Sequence, residues 1–447
     1  MNSVRNEAGA RGAPPLALIN ARLIDPASDA EQPGGIVIAD GVIADVGPHL
    51  ARAGAVAATG PHGMEAFDCG GLCVAPGLVD MRVQLREPGE EHKETMATAS
   101  NAAAAGGVTT MVALPNTKPV IDDAALVESV ARRARETSRV RIHTYAALTR
   151  GLAGKEITEI GLLSEAGAMG FTDGTHAVAD AQVMRRALSY ARNFGRPIIQ
   201  HPEEPSLARH GAMNEGEIAV RLGIPGIPAA AETIMVERDL RLAQLTQGRL
   251  HIAHVSTRSA VNAIRRAKAR GLNVTCDTAP PYFALNETAV GDYRTFAKLS
   301  PPLRTEADRR AIIEGLKDGT IDAIASDHAP HDTDAKRLPF AQAASGMIGL
   351  ETLLCIALEL VHNRHLSLPA VIAKMTAAPA SILGLPAGRL SKGAAADLVL
   401  FDPDRPWKIA EKDFHSKSKN SPFDGRPVQG RPIRTWVGGR TVFHLAN

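Results

Sequence analysis

Acidic and imidazole side chains recur where strand-like runs of this sequence end. Four of them follow or close four separate runs: Asp173, His201, His254 and Asp327. Two imidazoles and a carboxylate are ligands that suit Zn²⁺, and three protein ligands leave one position for a water of lowered pKa. Asp327 also opens the run D-H-A-P-H, which offers acid, base and donor groups close together, although it could instead cap a loop turn. The pattern therefore predicts hydrolytic chemistry at a shared metal site.

The middle of the chain alternates strand-like and helical patterns, which must bring these side chains together. Strand-like runs occupy 77–85, 108–114, 140–147, 168–172, 197–201, 250–255, 273–277 and 321–326. Near-continuous apolar strands that alternate with helices predict a parallel sheet covered on its outer face. Eight strands fit a closed α/β barrel, which places its active site at the C-terminal strand ends. A doubly wound open sheet is the competitor, but no G-x-G-x-x-G follows the first strand.

Both ends of the chain differ from the middle, because they contain short β-rich runs and tight turns without intervening helical patterns. These runs are 16–25, 35–39 and 42–46 near the N-terminus, and 396–402, 432–437 and 440–444 near the C-terminus. Neither group has enough strands to bury a sheet face alone, so we expect them to combine. The predicted organisation is a disordered tail over 1–15, a composite β domain of 16–70 plus 384–447, and a barrel over 71–383.

The composition excludes several classes of protein. The 447 residues carry 50 Lys and Arg against 48 Asp and Glu, and the net charge of +2 argues against a nucleic-acid surface. No apolar run reaches about 18 residues, so no membrane span is predicted. The four cysteines lack paired C-x-x-C spacing, which indicates a reducing compartment. We therefore expect a cytoplasmic protein whose partners are small molecules or other proteins.

Several longer motifs make the sequence similar to a known family. They include PGLVDMRVQLREPGEEHKET, AAAAGGVTTMVALPNTKPVID, HPEEPSLARHGAMNEGE and SDHAPHDTDAKRLPF. The chain resembles the bacterial class I dihydroorotases of the amidohydrolase superfamily from about Leu16 to Phe443. The resemblance implies a TIM-like (β/α)8 metallo-dependent hydrolase barrel with a small β-sandwich built from both termini. It also implies a homo-oligomer that interconverts N-carbamoyl-L-aspartate and L-dihydroorotate in de novo pyrimidine synthesis by zinc-activated water.

The resemblance carries specific roles onto residues of this chain. The family's bridging carboxylate falls on Asp173, the two histidines of its second metal position fall on His201 and His254, and its metal-binding proton shuttle falls on Asp327. Substrate contacts fall on five residues: Arg86, Asn116, Ser300, His331 and Gly346. A guanidinium suits the free carboxylate of dihydroorotate, and the other groups can hydrogen-bond its ring. Ser300 replaces a residue that is usually Asn, which shortens or removes one contact.

The end of the first strand also departs from the family pattern. Where relatives have Asp-x-His-x-His, this chain has Asp80-Met81-Arg82-Val83-Gln84, and Arg82 cannot ligate a cation because it has no lone pair to offer. One hypothesis places a single Zn²⁺ on Asp173, His201 and His254, with Arg82 replacing the charge of the missing metal. Arg82 could also merely neutralise a nearby carboxylate. Either role predicts that Arg82 lies within salt-bridge reach of Asp173 or Asp327.

The lost histidines leave alternative functions open. One is a catalytically inactive homologue that acts as a structural subunit of aspartate transcarbamoylase, as some members of the family do. Another is an amidohydrolase for a different cyclic amide or hydantoin. The retention of the four predicted ligands favours an active enzyme, and the set of Arg86, Asn116 and His331 favours dihydroorotate.

Overall fold

The computed structural model describes residues 15–52 and 64–446. Residues 1–14 of the predicted tail lie outside the described residues. The strands are β1 (Leu16–Asp25), β2 (Ala30–Ala39), β3 (Val42–Gly47), β4 (Glu65–Asp68), β5 (Cys73–Pro76), β6 (Leu78–Val83), β7 (Val108–Ala113), β8 (Arg141–Thr144), β9 (Ala146–Ala147), β10 (Phe171–Thr172), β11 (Ile198–Gln200), β12 (Met213–Asn214), β13 (Gly226–Ile227), β14 (Leu250–Ile252), β15 (Val274–Thr278), β16 (Ala323–Ile324), β17 (Leu398–Lys408), β18 (Pro427–Val437) and β19 (Arg440–His444).

Helices separate most of these strands in the middle of the chain. They are α1 (Met96–Ala105), α2 (Ala124–Thr137), α3 (Ile160–Glu165), α4 (Ala181–Ala191), α5 (Pro205–Ala208), α6 (Glu217–Leu222), α7 (Ala230–Thr246), α8 (Arg258–Ala269), α9 (Pro280–Ala284), α10 (Glu306–Lys317), α11 (Thr333–Arg337), α12 (Leu353–His362), α13 (Leu368–Lys374) and α14 (Ala377–Leu383). Side-chain caps begin several of them; the Asp180 carboxylate, for example, accepts the backbone N–H groups of Gln182 and Val183 at the start of α4.

The central strands are parallel and lie in two sheets. β6, β7 and β8 form one, and β9, β10, β11, β14, β15 and β16 form the other. Only Tyr145 separates β8 from β9, so one stretch of chain passes from the first sheet to the second. A parallel bridge between Val83 and His328 joins β6 to the segment that follows β16. We refer to the strands of these two sheets together as the ring. All eight predicted strands are present, and their C-terminal ends lie on the same side of the molecule.

The strands of this ring are buried because helices cover their outer side. Every residue of β6 and β7 is buried, as expected for parallel strands that are covered on both faces. The inside of the ring is filled by a separate apolar cluster to which Met81, Val112, Tyr145 and Ile199 belong. The interior is therefore a packed core, and polar side chains can meet only at the strand ends.

Strands from both termini share one sheet. Its order is β19-β18-β17-β5-β1-β2-β3, with β4 paired to β1. The sheet includes β5, beyond the predicted boundary at residue 70, because Cys73–Pro76 pair with Leu398–Phe401 of β17. Trp436 and Leu18 are fully buried in the apolar cluster of this sheet. The predicted domain boundaries themselves stay a prediction.

Two features of the composition also have a structural counterpart. All four cysteines are buried and free: Cys69, Cys73, Cys276 and Cys355. Within residues 15–52 and 64–446, no helix combines the length and the apolar character that crossing a membrane would require.

Candidate active site

The end of the first ring strand is tied to the end of the last one by a buried carboxylate. Asp80 is fully buried, and its Oδ1 accepts the backbone N–H of Arg82 at 3.2 Å and that of Ser326 at 3.1 Å. Burial raises the pKa of Asp80 to about 6, against the effect of these hydrogen bonds. Asp80 therefore holds Arg82 and the segment that leads to Asp327 side by side.

Arg82 lies across the C-terminal ends of the ring strands. Its Nε donates to Oδ1 of Asp327 at 2.8 Å, and its Nη2 donates to the carbonyl oxygen of Gly174 at 3.1 Å. The guanidinium is buried, with only 2% of the residue exposed. The ion pair expected from the sequence is thus formed with Asp327, whereas Asp173 binds elsewhere.

Asp327 is a partly accessible carboxylate among buried side chains. Its side chain is 19% exposed, compared with 3% for Arg82. Burial raises the pKa of Asp327, and the neighbouring Arg82 guanidinium opposes that rise. A carboxyl group with a raised pKa that still reaches solvent is suited to accept and return a proton.

His201 and His254 meet through their ring nitrogens. Nδ1 of His201 and Nε2 of His254 lie 2.9 Å apart, and their rings are steeply inclined to each other, with centroids separated by 4.8 Å. Both residues are buried. Burial, reinforced by the nearby Arg82, holds the pKa of His254 well below its usual range, so this imidazole is neutral. Neutral imidazole is the form that ligates metals.

Asp277 supports His254 and was not recognised from the sequence. Its Oδ1 accepts the backbone N–H of His254 at 2.7 Å, and its Oδ2 lies 2.9 Å from Nε2 of His251. The signal was available, because Asp277 lies near the end of β15, where the other candidates also follow strands. The carboxylate thus stabilises the turn of chain on which His254 lies.

Three site residues have left-handed backbone conformations without being glycine. The φ angles are 62° at Arg86, 35° at His254 and 52° at Asp327. Such conformations cost about 1–3 kcal/mol each and persist at positions that the surrounding structure constrains strongly. Hydrogen bonds to Asp277 and Arg82 supply part of that constraint for His254 and Asp327.

A single threonine binds the carboxylate of Asp173. Its Oδ1 accepts the backbone N–H of Thr149 at 2.8 Å, and its Oδ2 accepts the hydroxyl of the same residue. Burial raises the pKa of Asp173, and the bonds from Thr149 counteract that rise. Both carboxylate oxygens therefore have partners within the chain.

The predicted substrate contacts fall into two groups. Arg86, His331 and Gly346 lie together: Nη2 of Arg86 is 3.3 Å from Nε2 of His331, and a Cβ at position 346 would lie 3.2 Å from that same nitrogen. Burial, followed by the effect of Arg86, lowers the pKa of His331 to about 3, so its ring is neutral. Gly346, with φ of 127°, leaves space that a Cβ would take from Ala329 and His331.

The second group lies beside the metal-site candidates. Nδ2 of Asn116 donates to Oε1 of Gln84 at 3.1 Å. The hydroxyl of Ser300 donates to Glu203 at 2.9 Å, and Glu203 in turn lies 3.4 Å from His201. Asn116 is therefore placed beside the first strand and Ser300 beside the histidine pair.

Comparisons with known proteins agree with this arrangement. Residues 71–260 match the family model described as dihydro-orotase-like. A curated dihydroorotase of Wolbachia sp. subsp. Drosophila simulans (strain wRi) is 47% identical over 429 residues, which cover 96% of this chain and 95% of that protein. One from Pelobacter propionicus is 46% identical over 428 residues, covering 96% and 99%. The chain belongs to the dihydroorotase family.

Solved structures place the dihydroorotase fold of this chain among cyclic amidohydrolases. The L-hydantoinase from Arthrobacter aurescens has a TM-score of 0.85 and 26% identity, covering 96% of both chains. The dihydropyrimidinase from Brevibacillus agri NCHU1002 has a TM-score of 0.83 at 22% identity, with 96% of this chain and 95% of that one covered, and it supports the fold alone. The predicted α/β amidohydrolase barrel class and the predicted family are confirmed.

Dihydroorotases and hydantoinases are metal-dependent hydrolases of cyclic amides, so the donor set of this chain must be compared with a metal site. The facing nitrogens of His201 and His254 suit a shared ion. The carboxylates do not complete the set, because Asp173 is bound by Thr149 and Asp327 by Arg82. In the described part of the chain, no group of three or more His, Cys, Asp or Glu residues is placed to hold a metal ion. As arranged, these residues do not fit a three-ligand zinc centre.

Proposed function

We propose that this chain is a cyclic amidohydrolase of the dihydroorotase type that interconverts N-carbamoyl-L-aspartate and L-dihydroorotate in de novo pyrimidine synthesis. One observation carries the proposal: the buried guanidinium of Arg86 binds the carbonyl oxygen of Pro330 at 3.0 Å, three residues after Asp327. The arginine that would bind the substrate's carboxylate is thus attached to the short segment that carries the proton-transferring carboxyl group of Asp327. Near-full-length similarity to curated dihydroorotases supports the same substrates.

Arg86 has the capacity to bind the substrate's carboxylate. A guanidinium carries five N–H groups, and Arg86 uses one on Pro330 and one on Glu90. The remaining N–H groups can pair with a carboxylate in the planar geometry that arginine favours. Asn116 and His331 offer further hydrogen bonds to the amide groups of the ring.

Asp327 is the residue that we assign to proton transfer. In the hydrolytic direction, the oxygen of water bonds to the ring carbonyl carbon and the ring C–N bond breaks. Asp327 takes the proton from the attacking water and delivers it to the departing nitrogen; ring closure reverses these steps. The raised pKa of Asp327 and the partial exposure of its side chain support this role.

One Zn²⁺ per chain on Asp173, His201 and His254, with Asp327 as a further ligand, stays a prediction. It requires Asp173 to exchange Thr149 for the ion, and the cationic Arg82 nearby opposes a second ion. Metal analysis of the purified protein, with and without added Zn²⁺, tests the occupancy directly. Self-association and a cytoplasmic location likewise stay predictions.

A second candidate function has one observation in its favour. The carboxylate to which we assign proton transfer is engaged in the Arg82–Asp327 ion pair. A non-catalytic subunit of aspartate transcarbamoylase would not need that carboxylate to be free. The comparisons do not favour it, since the curated relatives are themselves named dihydroorotases. It predicts that the chain copurifies with aspartate transcarbamoylase and has no turnover of its own.

The deciding experiment is an assay of both reaction directions on purified protein, with metal content measured on the same samples. We expect turnover that Arg86→Gln and Asp327→Asn each abolish. The exposed residue Arg241, on the outer helix α7, provides a matched control: Arg241→Gln should leave turnover unchanged. Lack of turnover at every Zn²⁺ concentration would refute the proposed activity and leave the subunit function.

A further inference from the structure

Arg82 has one buried group whose hydrogen-bonding capacity is unused. Its Nε binds Asp327 and its Nη2 binds Gly174, but Nη1 has no hydrogen-bond partner within residues 15–52 and 64–446. A buried polar group without a partner is costly, and a guanidinium can only donate. The missing partner must therefore be an acceptor, and an anion would gain most from this cation.

The neighbouring side chains do not supply that anion. Asp327 already pairs with the opposite side of the guanidinium through Nε. His254, which also lies near Arg82, has its Nε2 2.9 Å from Nδ1 of His201 and carries no carboxylate. The hydroxyl of Tyr145, another neighbour of the guanidinium, donates to the carbonyl oxygen of Met81. An external ligand is thus the natural source of the acceptor, and the side chain of Asp327, which binds the same guanidinium, is partly exposed to solvent.

Arg82 and Arg86 both bind the short segment from Asp327 to Pro330. The partners of their Nε atoms, Asp327 and Pro330, are three residues apart, so they lie within about 10 Å along the chain. Both guanidiniums have unused N–H groups. A ligand with two carboxylates a few bonds apart would match this pair of cations better than a ligand with one.

The two proposed substrates differ in this respect. N-carbamoyl-L-aspartate has two carboxylates, whereas ring closure converts one of them into an uncharged ring carbonyl. Arg86 suits the carboxylate that both compounds keep. Arg82, whose Nη1 has no hydrogen-bond partner in the described residues, offers a donor for the one that only the open-chain compound has.

We propose that Arg82 forms a second carboxylate site, so that this chain binds the open-chain dicarboxylate N-carbamoyl-L-aspartate more tightly than cyclic dihydroorotate. The inference rests on the proposed function, because it takes its two ligands from that reaction. It makes Arg82 a specificity-determining residue, which the chain has in place of a metal-ligating histidine. The contact needs no metal ion.

Equilibrium dialysis of the purified chain, with each compound quantified on both sides of the membrane, tests this preference even if turnover occurs. The ligands are N-carbamoyl-L-aspartate, L-dihydroorotate and N-carbamoyl-L-asparagine, in which an amide replaces the second carboxylate. We expect the dicarboxylate to bind at least about tenfold more tightly than either of the others. Arg82→Gln should remove that advantage and change the Kd of the other two less than about threefold.

Two further variants separate the possible outcomes. Arg86→Gln should weaken all three ligands, and Arg241→Gln should weaken none. Equal binding of the dicarboxylate and its amide analogue by the unmodified chain would overturn the role of Arg82, as would an equal loss of all ligands in Arg82→Gln. Failure of the unmodified chain to bind any of the three would instead refute the proposed substrates, and this inference with them.

Discussion

Nε of Arg82 donates to Oδ1 of Asp327 across 2.8 Å, although the two residues lie 245 positions apart in the chain. Arg82 lies near the end of the first ring strand and Asp327 follows the last one, and the bridge between Val83 and His328 holds these two segments together. A histidine at position 82 would place a neutral imidazole beside this carboxylate. Here a permanent cation lies there instead. Arg82 adds a positive charge to the site, and its bond to Asp327 links the first ring strand to the segment that follows the last one.

Breaking this ion pair from one side should destabilise the fold. We expect Arg82→Leu to lower the free energy of unfolding by about 3 kcal/mol, because it leaves the largely buried carboxylate of Asp327 without a counter-charge. Arg82→Leu combined with Asp327→Leu should recover much of that loss, since an apolar pair needs no compensation. Urea unfolding measures both. Arg265→Leu, which breaks an exposed pair with Asp318, should cost no more than about 1 kcal/mol. A double variant as unstable as the single one would contradict the argument.

Removing the acid–base group should stop the reaction without unfolding the protein. Asp327→Asn keeps the size of the side chain and an oxygen for Arg82, but it cannot exchange a proton. We expect turnover to fall at least about 100-fold, the usual contribution of general acid–base catalysis, with metal content unchanged. Asp318→Asn on the surface is the matched control. Retained turnover in Asp327→Asn would exclude Asp327 from the mechanism.

The neutral state of His331 predicts a dependence of stability on acid. Burial lowers its pKa to about 3 from the ordinary value of 6.5, so the unfolded chain binds this proton more readily than the folded one. Its contribution to stability is therefore complete above pH 6.5 and is lost as the pH falls toward 3. His331→Gln should reduce the slope of unfolding free energy against pH by up to one proton in that range. Parallel curves for the two proteins would count against a buried neutral His331.

Restoring the family motif should create a metal site. Arg82→His combined with Gln84→His removes the cation and releases Asp327 from its ion pair. We expect the purified double variant to contain one more metal ion per chain than the unmodified protein, as measured by elemental analysis. Arg82→Gln combined with Gln84→Asn removes the same contacts without adding ligands and should gain none. Equal metal content in all three proteins would mean that the site has diverged beyond simple restoration.

Much of the fold was predictable from local patterns. All eight ring strands were predicted within a few residues, and strands such as Leu16–Asp25 and Arg440–His444 have the predicted bounds. Apolar periodicity and turn residues act over short stretches of chain, so the sequence displays them directly. Several strands are shorter than predicted, Phe171–Thr172 among them, because the pairing of neighbouring strands decides where each ends.

The candidate site divides in the same way. The types and positions of Arg82, Asp173, His201, His254 and Asp327 could be recognised from the sequence. The sequence did not decide between Asp173 and Asp327 as the partner of Arg82. Nor did it indicate that Thr149 binds Asp173, or that Asp277 supports His254.

Those choices depend on distances between atoms that the chain brings together only when the ring forms. Arg82 can reach either carboxylate in principle, but Asp80 binds the backbone at both Arg82 and Ser326, which places Asp327 at its Nε. Asp173 accepts hydrogen bonds from Thr149, which lies 24 residues before it in the chain. The sequence by itself thus determined the family, the strands and the chemical groups available. The tertiary structure decided which groups are paired, because hydrogen bonds depend on separations of a few tenths of an ångström that no local pattern contains.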